Sequence, residues 1–483
     1  MNRGEGVKKL IASLMFMVPM LSFPLVASAE ESIMDITRDA GYEEALEINQ
    51  PKSSVIIDGN NGQLLWAQNP DLPREPASIS KMMTVFLVFD AIKQGKMTLD
   101  TTITATEKDE AISQIYLISN SKIQAGVDYP IKELLKMVTV PSSNVATVML
   151  ANYVSDGDAG GFVQSMNEKA KEIGMTNTTF YNCSGASANS FEGLYAPKGF
   201  DPAGSNMSTA RDLATMVFYL INDHPEVLAF TNQPIVTTME GTPYEESFET
   251  YNYSLPGAKY GLEGVDGLKT GSGPSSAFNY IATAKRGKTR LIEVIMGVGT
   301  WEDQDGEYYR HPFGNALLEK TFDEYEYRQL LPKGKHTIQG KEVQLDQDFY
   351  GVVKKGTDPV FALQDQHITL SQPMEQAAET MPPLAVKYQK TEHKEAVIDQ
   401  QEDGLLRKLP HFFLMFIERT RFLSKPLYLI GLTWIGLFLL LVSLIVGRAN
   451  RHRRRSIVSV LFCLIGILCF ITAAGVFITA YIL

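Results

Sequence analysis

The sequence predicts an α+β protein that carries a small β-rich domain and a membrane hairpin behind it. Three observations predict it. Strand-like hairpins at 54–66 and 277–299 bracket a long stretch of helical apolar patterns. Short alternating segments broken by Gly, Pro and Asp fill 333–395. Two apolar runs separated by a basic loop close the chain.

Composition narrows the class. Of 483 residues, 55 are acidic and 44 basic, a net charge of −11, and 45% are hydrophobic. Such apolar content excludes a disordered chain, and three cysteines exclude a disulfide scaffold. The acidic balance argues against nucleic-acid binding, which leaves a basic footprint. The charge is unevenly spread. Residues 1–29 carry three bases and one acid, and 405–483 carry ten bases and one acid, so 30–404 holds −22. An acidic body lies between two basic, apolar ends.

Each end reads as a membrane signal. Arg3, Lys8 and Lys9 precede an apolar run over 10–26, and Ala27-Ser28-Ala29 is a small-residue cleavage site, so 1–29 reads as a secretory signal peptide. Leu427 to Val446 is an apolar run, read as one span at 427–446, and Ile457 to Leu483 is a second, with its span at 457–480. Either is long enough to cross a hydrocarbon core of ~30 Å. Arg448, Arg451, His452, Arg453, Arg454 and Arg455 lie between them. A short loop so rich in Arg belongs on the cytoplasmic side, which places the body outside the cell membrane. Residues 405–424 alternate Leu and Phe with Arg and Lys, as in a helix lying on anionic lipid, with Pro410 as a kink. Cys463 and Cys469 fall in the second run, so Cys183 has no partner in the body.

Within the body, Ser54-Val55-Ile56-Ile57 and Gln63-Leu64-Leu65-Trp66 are two strands around a Gly-Asn turn. Residues 76–93 form an apolar helix, 100–165 are mostly helical, Thr209 caps a helix running through Leu220, and 311–328 reads as a helix. The body divides at Leu331-Pro332 into 30–332 and 333–404, the latter ending in a polar spacer.

Three short elements carry chemistry. In Ser78-Ile79-Ser80-Lys81, Ser78 and Lys81 stand three apart and share a helix face. A serine hydroxyl needs an adjacent base to become a nucleophile, and a lysine serves if burial lowers its pKa. Ser80 faces about 100° away from Lys81, which makes it the weaker nucleophile. Alone, the motif is common by chance. In Ser142-Ser143-Asn144, Pro141 ends one helix, and Ser142 and Asn144 sit on the loop before the next. There a hydroxyl and an amide could relay a proton and hold a substrate amide. Alone, this also reads as helix capping. In Lys269-Thr270-Gly271, a cation and a hydroxyl suit a carboxylate, and Gly271 leaves room for a substrate backbone against a strand edge.

Together, S-x-x-K, S-x-N and K-T-G in that order are the pattern of penicillin-binding proteins and serine β-lactamases. The chain resembles low-molecular-mass penicillin-binding proteins, the serine-type D-alanyl-D-alanine carboxypeptidases. Pro76 to Thr84, Thr209 to Leu213 and Val265 to Gly271 carry the likeness. The resemblance implies a β-lactamase/transpeptidase-like domain: an antiparallel sheet flanked by helices, with an α-helical subdomain. It implies that Ser78 is acylated by peptidoglycan stem peptides ending in D-Ala-D-Ala, and by β-lactam antibiotics as covalent inhibitors. Lys81 takes the Ser78 proton, and Ser142 relays a proton to the leaving D-alanine. Asn144 binds the acyl-side amide, Lys269 and Thr270 bind the terminal carboxylate, and the amides of Ser78 and Ser272 form the oxyanion hole. Membrane lipid is the other expected partner, and no metal or other cofactor is expected.

Transpeptidation, endopeptidase action, β-lactamase action and a non-enzymatic penicillin sensor remain as alternatives. A class A β-lactamase also needs a Glu within an E-x-x-L-N stretch, and the chain has none. Penicillin sensors place the domain after their spans, whereas here the spans come last. Neither G-x-S-x-G nor H-E-x-x-H occurs, which disfavours a Ser-His-Asp hydrolase and a metallopeptidase. The chain departs from many relatives after K-T-G, where it reads Ser272-Gly273-Pro274, and in its two-span tail.

Overall fold

The structure, a computed structural model, describes residues 31–390. Among the described residues no helix is long and apolar enough to cross a membrane. The segments read as signal peptide (1–29), interfacial helix (405–424) and spans (427–446, 457–480) lie outside the described residues.

Helix α1 (Ile33–Asp39) precedes a hairpin of β1 (Ser53–Asp58) and β2 (Leu64–Gln68). The chain then enters a helical region. It comprises α2 (Lys81–Lys93), β3 (Thr102–Thr104), α3 (Glu107–Ser113), β4 (Asp128–Pro130), α4 (Ile131–Thr139), α5 (Asn144–Val154), α6 (Ala159–Glu172) and α7 (Ala210–Asp223). A small ribbon of β5 (Ile235–Thr238) and β6 (Glu246–Glu249) leads to β7 (Val265–Gly273), β8 (Ala277–Arg286) and β9 (Thr289–Val298). Helix α8 (Gly306–Glu324) follows.

The main sheet is antiparallel, in the order β2-β1-β9-β8-β7. The first hairpin therefore pairs with the last, and β1 is buried on both faces. Its period of two decides which residue faces which layer. Val55 and Ile57 join the core shared with α2, α5 and α7, while Ile56 joins the core under α1 and α8. The helical region thus packs on one face of the sheet, and α1 with α8 on the other. Thr209 caps α7 as expected, accepting from the Asp212 amide at 3.1 Å.

Two expected elements differ. The helix read over 311–328 begins at Gly306 and stops at Glu324. Beyond it, Tyr325, Tyr327 and Gln329 alternate with Glu326 and Arg328 at period two, and β10 (Tyr325–Leu331) forms instead. Although it lies before the Leu331-Pro332 change in texture, β10 pairs with β13 (Phe349–Lys354) of the second domain. The rest of that domain is a sheet in the order β11-β12-β16-β15-β14. Its strands are β11 (Gly334–Ile338), β12 (Lys341–Leu345), β14 (Phe361–Gln364), β15 (His367–Leu370) and β16 (Ala385–Lys390).

The loop between β15 and β16 returns to the first domain. Leu64 N donates to Glu375 O at 2.8 Å, and Thr380 Oγ1 donates to Ile173 O at 2.7 Å. Arg211 pairs with Glu375 at 2.7 Å, and Ala377, Ala378 and Met381 enter the helical core.

Candidate active site

Ser78 stands on a 3-10 turn, Ala77–Ser80, that leads into α2. In 3-10 geometry residues three apart eclipse one another, so the turn aligns Ser78 with Lys81 more directly than the expected α-helical start. Lys81 Nζ lies 3.0 Å from Ser78 Oγ, 2.9 Å from Asn144 Oδ1 and 2.9 Å from the Ser184 carbonyl oxygen. The side chain is fully buried, and burial pushes its pKa down to about 7. Ser80 Oγ is buried without a hydrogen-bond partner, away from this contact set.

The neighbours of Lys81 define its proton chemistry. As a neutral amine, Nζ donates two hydrogens and carries one lone pair. Asn144 Oδ1 and the Ser184 carbonyl can only accept. Ser78 Oγ is the only one of the three that can donate, so the lone pair falls on the Ser78 hydroxyl.

Asn144 is the first residue of α5 rather than a loop residue, with Ser143 as the cap. Its Nδ2 donates to the Ser119 carbonyl at 2.8 Å, which holds Oδ1 towards Lys81. Ser142, after Pro141, takes a left-handed φ of 65°. Its hydroxyl is buried without a partner. A buried hydroxyl on a strained backbone is a common device of functional sites.

Lys269 and Thr270 lie on β7, the edge strand of the main sheet. Both are buried. Lys269 Nζ donates to the Thr270 carbonyl at 3.1 Å. Burial first, then the charges of Lys81 and Arg310, hold the Lys269 pKa well below the usual lysine range. Gly271 also has a packing part. A Cβ there would come within 2.5 Å of the Pro76 carbonyl oxygen and 3.1 Å of the Ser78 amide nitrogen. The glycine lets the Ser78 turn press against β7.

Sequence reasoning missed two features. Arg310, on α8, is fully buried, and its Nη1 donates to Ser272 Oγ at 2.9 Å and to the Asn279 carbonyl at 3.2 Å. Among the described residues it has no carboxylate ion pair, and burial lowers its pKa to about 10. An arginine on a helix, 38 residues from Ser272, gives no motif. The second feature is the Asn182–Gly185 turn that supplies the Ser184 carbonyl. Asn182 Oδ1 accepts from the amides of Ser184 (3.1 Å) and Gly185 (2.6 Å). Asn and Gly three residues apart suit a turn, but nothing in that spacing points to Lys81.

A serine with a buried amine at its hydroxyl, beside Lys269 and Arg310, suits acyl transfer from an anionic substrate. The D-alanyl-D-alanine carboxypeptidase family, Peptidase S11, matches residues 41–300. The chain belongs to this family of serine D-alanyl-D-alanine carboxypeptidases. A carboxypeptidase of Bacillus subtilis is 28% identical over 329 residues, covering 68% of this chain and 74% of the relative. One of Haemophilus influenzae is 31% identical over 327 residues, covering 65% and 71%. Among solved structures, a peptidoglycan synthesis regulatory factor (PBP3) from Streptococcus pneumoniae shares the fold. Its TM-score is 0.60 at 23% identity, covering 70% of this chain and 97% of that one. The fold is therefore the penicillin-binding protein type of α+β domain with a β-rich domain after it. A domain of unknown function, DUF1958, matches residues 327–389 of this carboxypeptidase.

Proposed function

We propose that this carboxypeptidase removes the terminal D-alanine from peptidoglycan stem peptides by acylation of Ser78. The observation that carries the reading is the buried Lys81 Nζ 3.0 Å from Ser78 Oγ, with its two other contacts both to pure acceptors, so that the neutral amine can take a proton only from Ser78. Ser78 Oγ attacks the carbonyl between the two D-alanines, and its proton passes to Lys81 Nζ. The amides of Ser78 and Ser272 hold the oxyanion. The C–N bond then breaks, and Ser142 relays a proton to the departing nitrogen. Asn144 holds the acyl-side amide. Lys269, Thr270 and Arg310 hold the terminal carboxylate. Water hydrolyses the ester, and an amine in its place forms a cross-link. A β-lactam follows the first half of the same path and remains on Ser78.

Carboxylate recognition is the test. A D-Ala-D-Ala peptide with a free acid should exceed its amide about 10- to 150-fold in kcat/KM, the worth of a hydrogen bond to a charged group. Thr270→Val and Arg310→Gln should each erode the ratio. Equal rates on acid and amide by the unmodified enzyme would contradict carboxylate binding and favour an endopeptidase. Adding an amine acceptor and weighing the products separates hydrolysis from cross-linking.

We also propose that the enzyme is exported and anchored by its C-terminal hairpin, with the Arg448–Arg455 loop in the cytoplasm and 405–424 on the lipid surface. Tags at residue 400 and after Leu483 should be open to protease on intact cells, and a tag at Asn450 protected. Cleavage at Asn450 alone would reverse the orientation.

A further inference from the structure

Tyr116 is 96% exposed and Leu117 85%, the most exposed large apolar side chains among the described residues. Single exposed hydrophobics are ordinary, but these two are adjacent and their loop is firmly tied. Asn120 Nδ2 donates to the Ile112 carbonyl at 2.9 Å, and Asn120 Oδ1 accepts from the Val145 amide at 2.9 Å. The Ser119 carbonyl accepts from both the amide (2.9 Å) and Nδ2 (2.8 Å) of Asn144. The Ser121 amide donates to Ser143 Oγ at 3.1 Å. The loop is thus laced to the start of α5, and Asn144 reaches Lys81 from the same place. At about 3.5 Å per residue, Leu117 stands within about 7 Å of the Ser119 backbone and Tyr116 within about 11 Å.

We propose that Tyr116 and Leu117 form an apolar subsite for the acyl side of the substrate, taking the aliphatic side chain of the stem residue that precedes D-Ala-D-Ala. The inference rests on the Ser78 reading, in which Asn144 receives the acyl-side amide. A substrate held there leads away from Ser78 past the Ser119 carbonyl, and so towards this pair. A rigid loop that presents Tyr and Leu to water gains nothing inside the protein, whereas a passing aliphatic chain gains by covering them. The pair would then select the body of the substrate, while Lys269, Thr270 and Arg310 select its end.

The test compares two substrates on the full-length enzyme in detergent. One is N-acetyl-D-Ala-D-Ala, too short to reach the pair. The other is an N-acetylated stem pentapeptide with an aliphatic diamino residue before D-Ala-D-Ala. In the Tyr116→Ser/Leu117→Ser double variant, the ratio of kcat/KM for long over short peptide should fall about tenfold, the worth of one well-covered apolar side chain. The loss should appear in KM. An unchanged ratio, or a loss shared equally by both peptides, would overturn the subsite. So would weakened binding to phosphatidylglycerol vesicles with the peptide ratio intact, since that would assign the pair to a membrane surface. If the unmodified enzyme cleaved neither peptide, the Ser78 reading would fall with it.

Discussion

Lys81→Arg should lower the rate of Ser78 acylation by penicillin about 10²- to 10⁴-fold, the usual contribution of a general base, while the fold survives. Arginine stays protonated in proteins and offers no lone pair. It can still donate to Asn144 Oδ1 and the Ser184 carbonyl, so two of the three contacts persist and the third reverses sense. The pH profile adds an independent check. Burial holds the Lys81 pKa at about 7, and only the neutral amine accepts a proton. Acylation should therefore rise with pH through about 7 and then level, falling about tenfold for each pH unit below the midpoint. Stopped-flow acylation from pH 5 to 9 measures both. A near-normal rate in Lys81→Arg would place the base elsewhere.

Gly185→Ala should reduce acylation about 100-fold, as expected when a catalytic group is displaced by about 1 Å. Gly185 has a φ of 91°, where a side chain is strained, and a Cβ there would overlap the Ala77 carbonyl, with Ser78 N at 3.0 Å. Ala77 already has a left-handed φ of 49°, so the turn has little freedom to yield without carrying Ser78 with it. Gly193→Ala is the control. Its φ is 84°, but its Cβ would meet nothing within 4 Å. It should lose about 1 kcal/mol of stability or more through backbone strain alone and acylate normally. Thermal unfolding with acylation kinetics on both variants separates the two causes. Equal acylation in the two would show that the 182–185 turn does not hold the nucleophile in place.

The contrast between these two predictions shows which parts of the site were readable. Ser78 and Lys81 were legible because their pairing is local: three residues and one turn bring them together. Lys269 and Thr270 were legible as a chemical pair on a short motif, and Thr209 as a cap. Ser184, Gly185 and Arg310 act through a backbone carbonyl, a missing Cβ and a tertiary approach across the sheet, none of which leaves a pattern in the chain. Gly271 was visible as a required glycine, but its crowding neighbour, the turn at Pro76–Ile79, lies nearly 200 residues away in sequence. The fold divides in the same way. The hairpins were clear from apolar runs on either side of Gly-containing turns, whereas the pairing of β1 with β9, which closes the sheet, was not. Nor was the return of the β15–β16 loop to the helical core, because Ala377, Ala378 and Met381 show no periodic signal of their own.

Site-resolved mass spectrometry of the penicillin-treated enzyme tests the central assignment most directly. The account predicts one added drug mass, localised by fragmentation to the Ser78 side chain. It also predicts no addition in Ser78→Ala and normal addition in Ser80→Ala. Drug mass on Ser80, or undiminished labelling of Ser78→Ala, would contradict it.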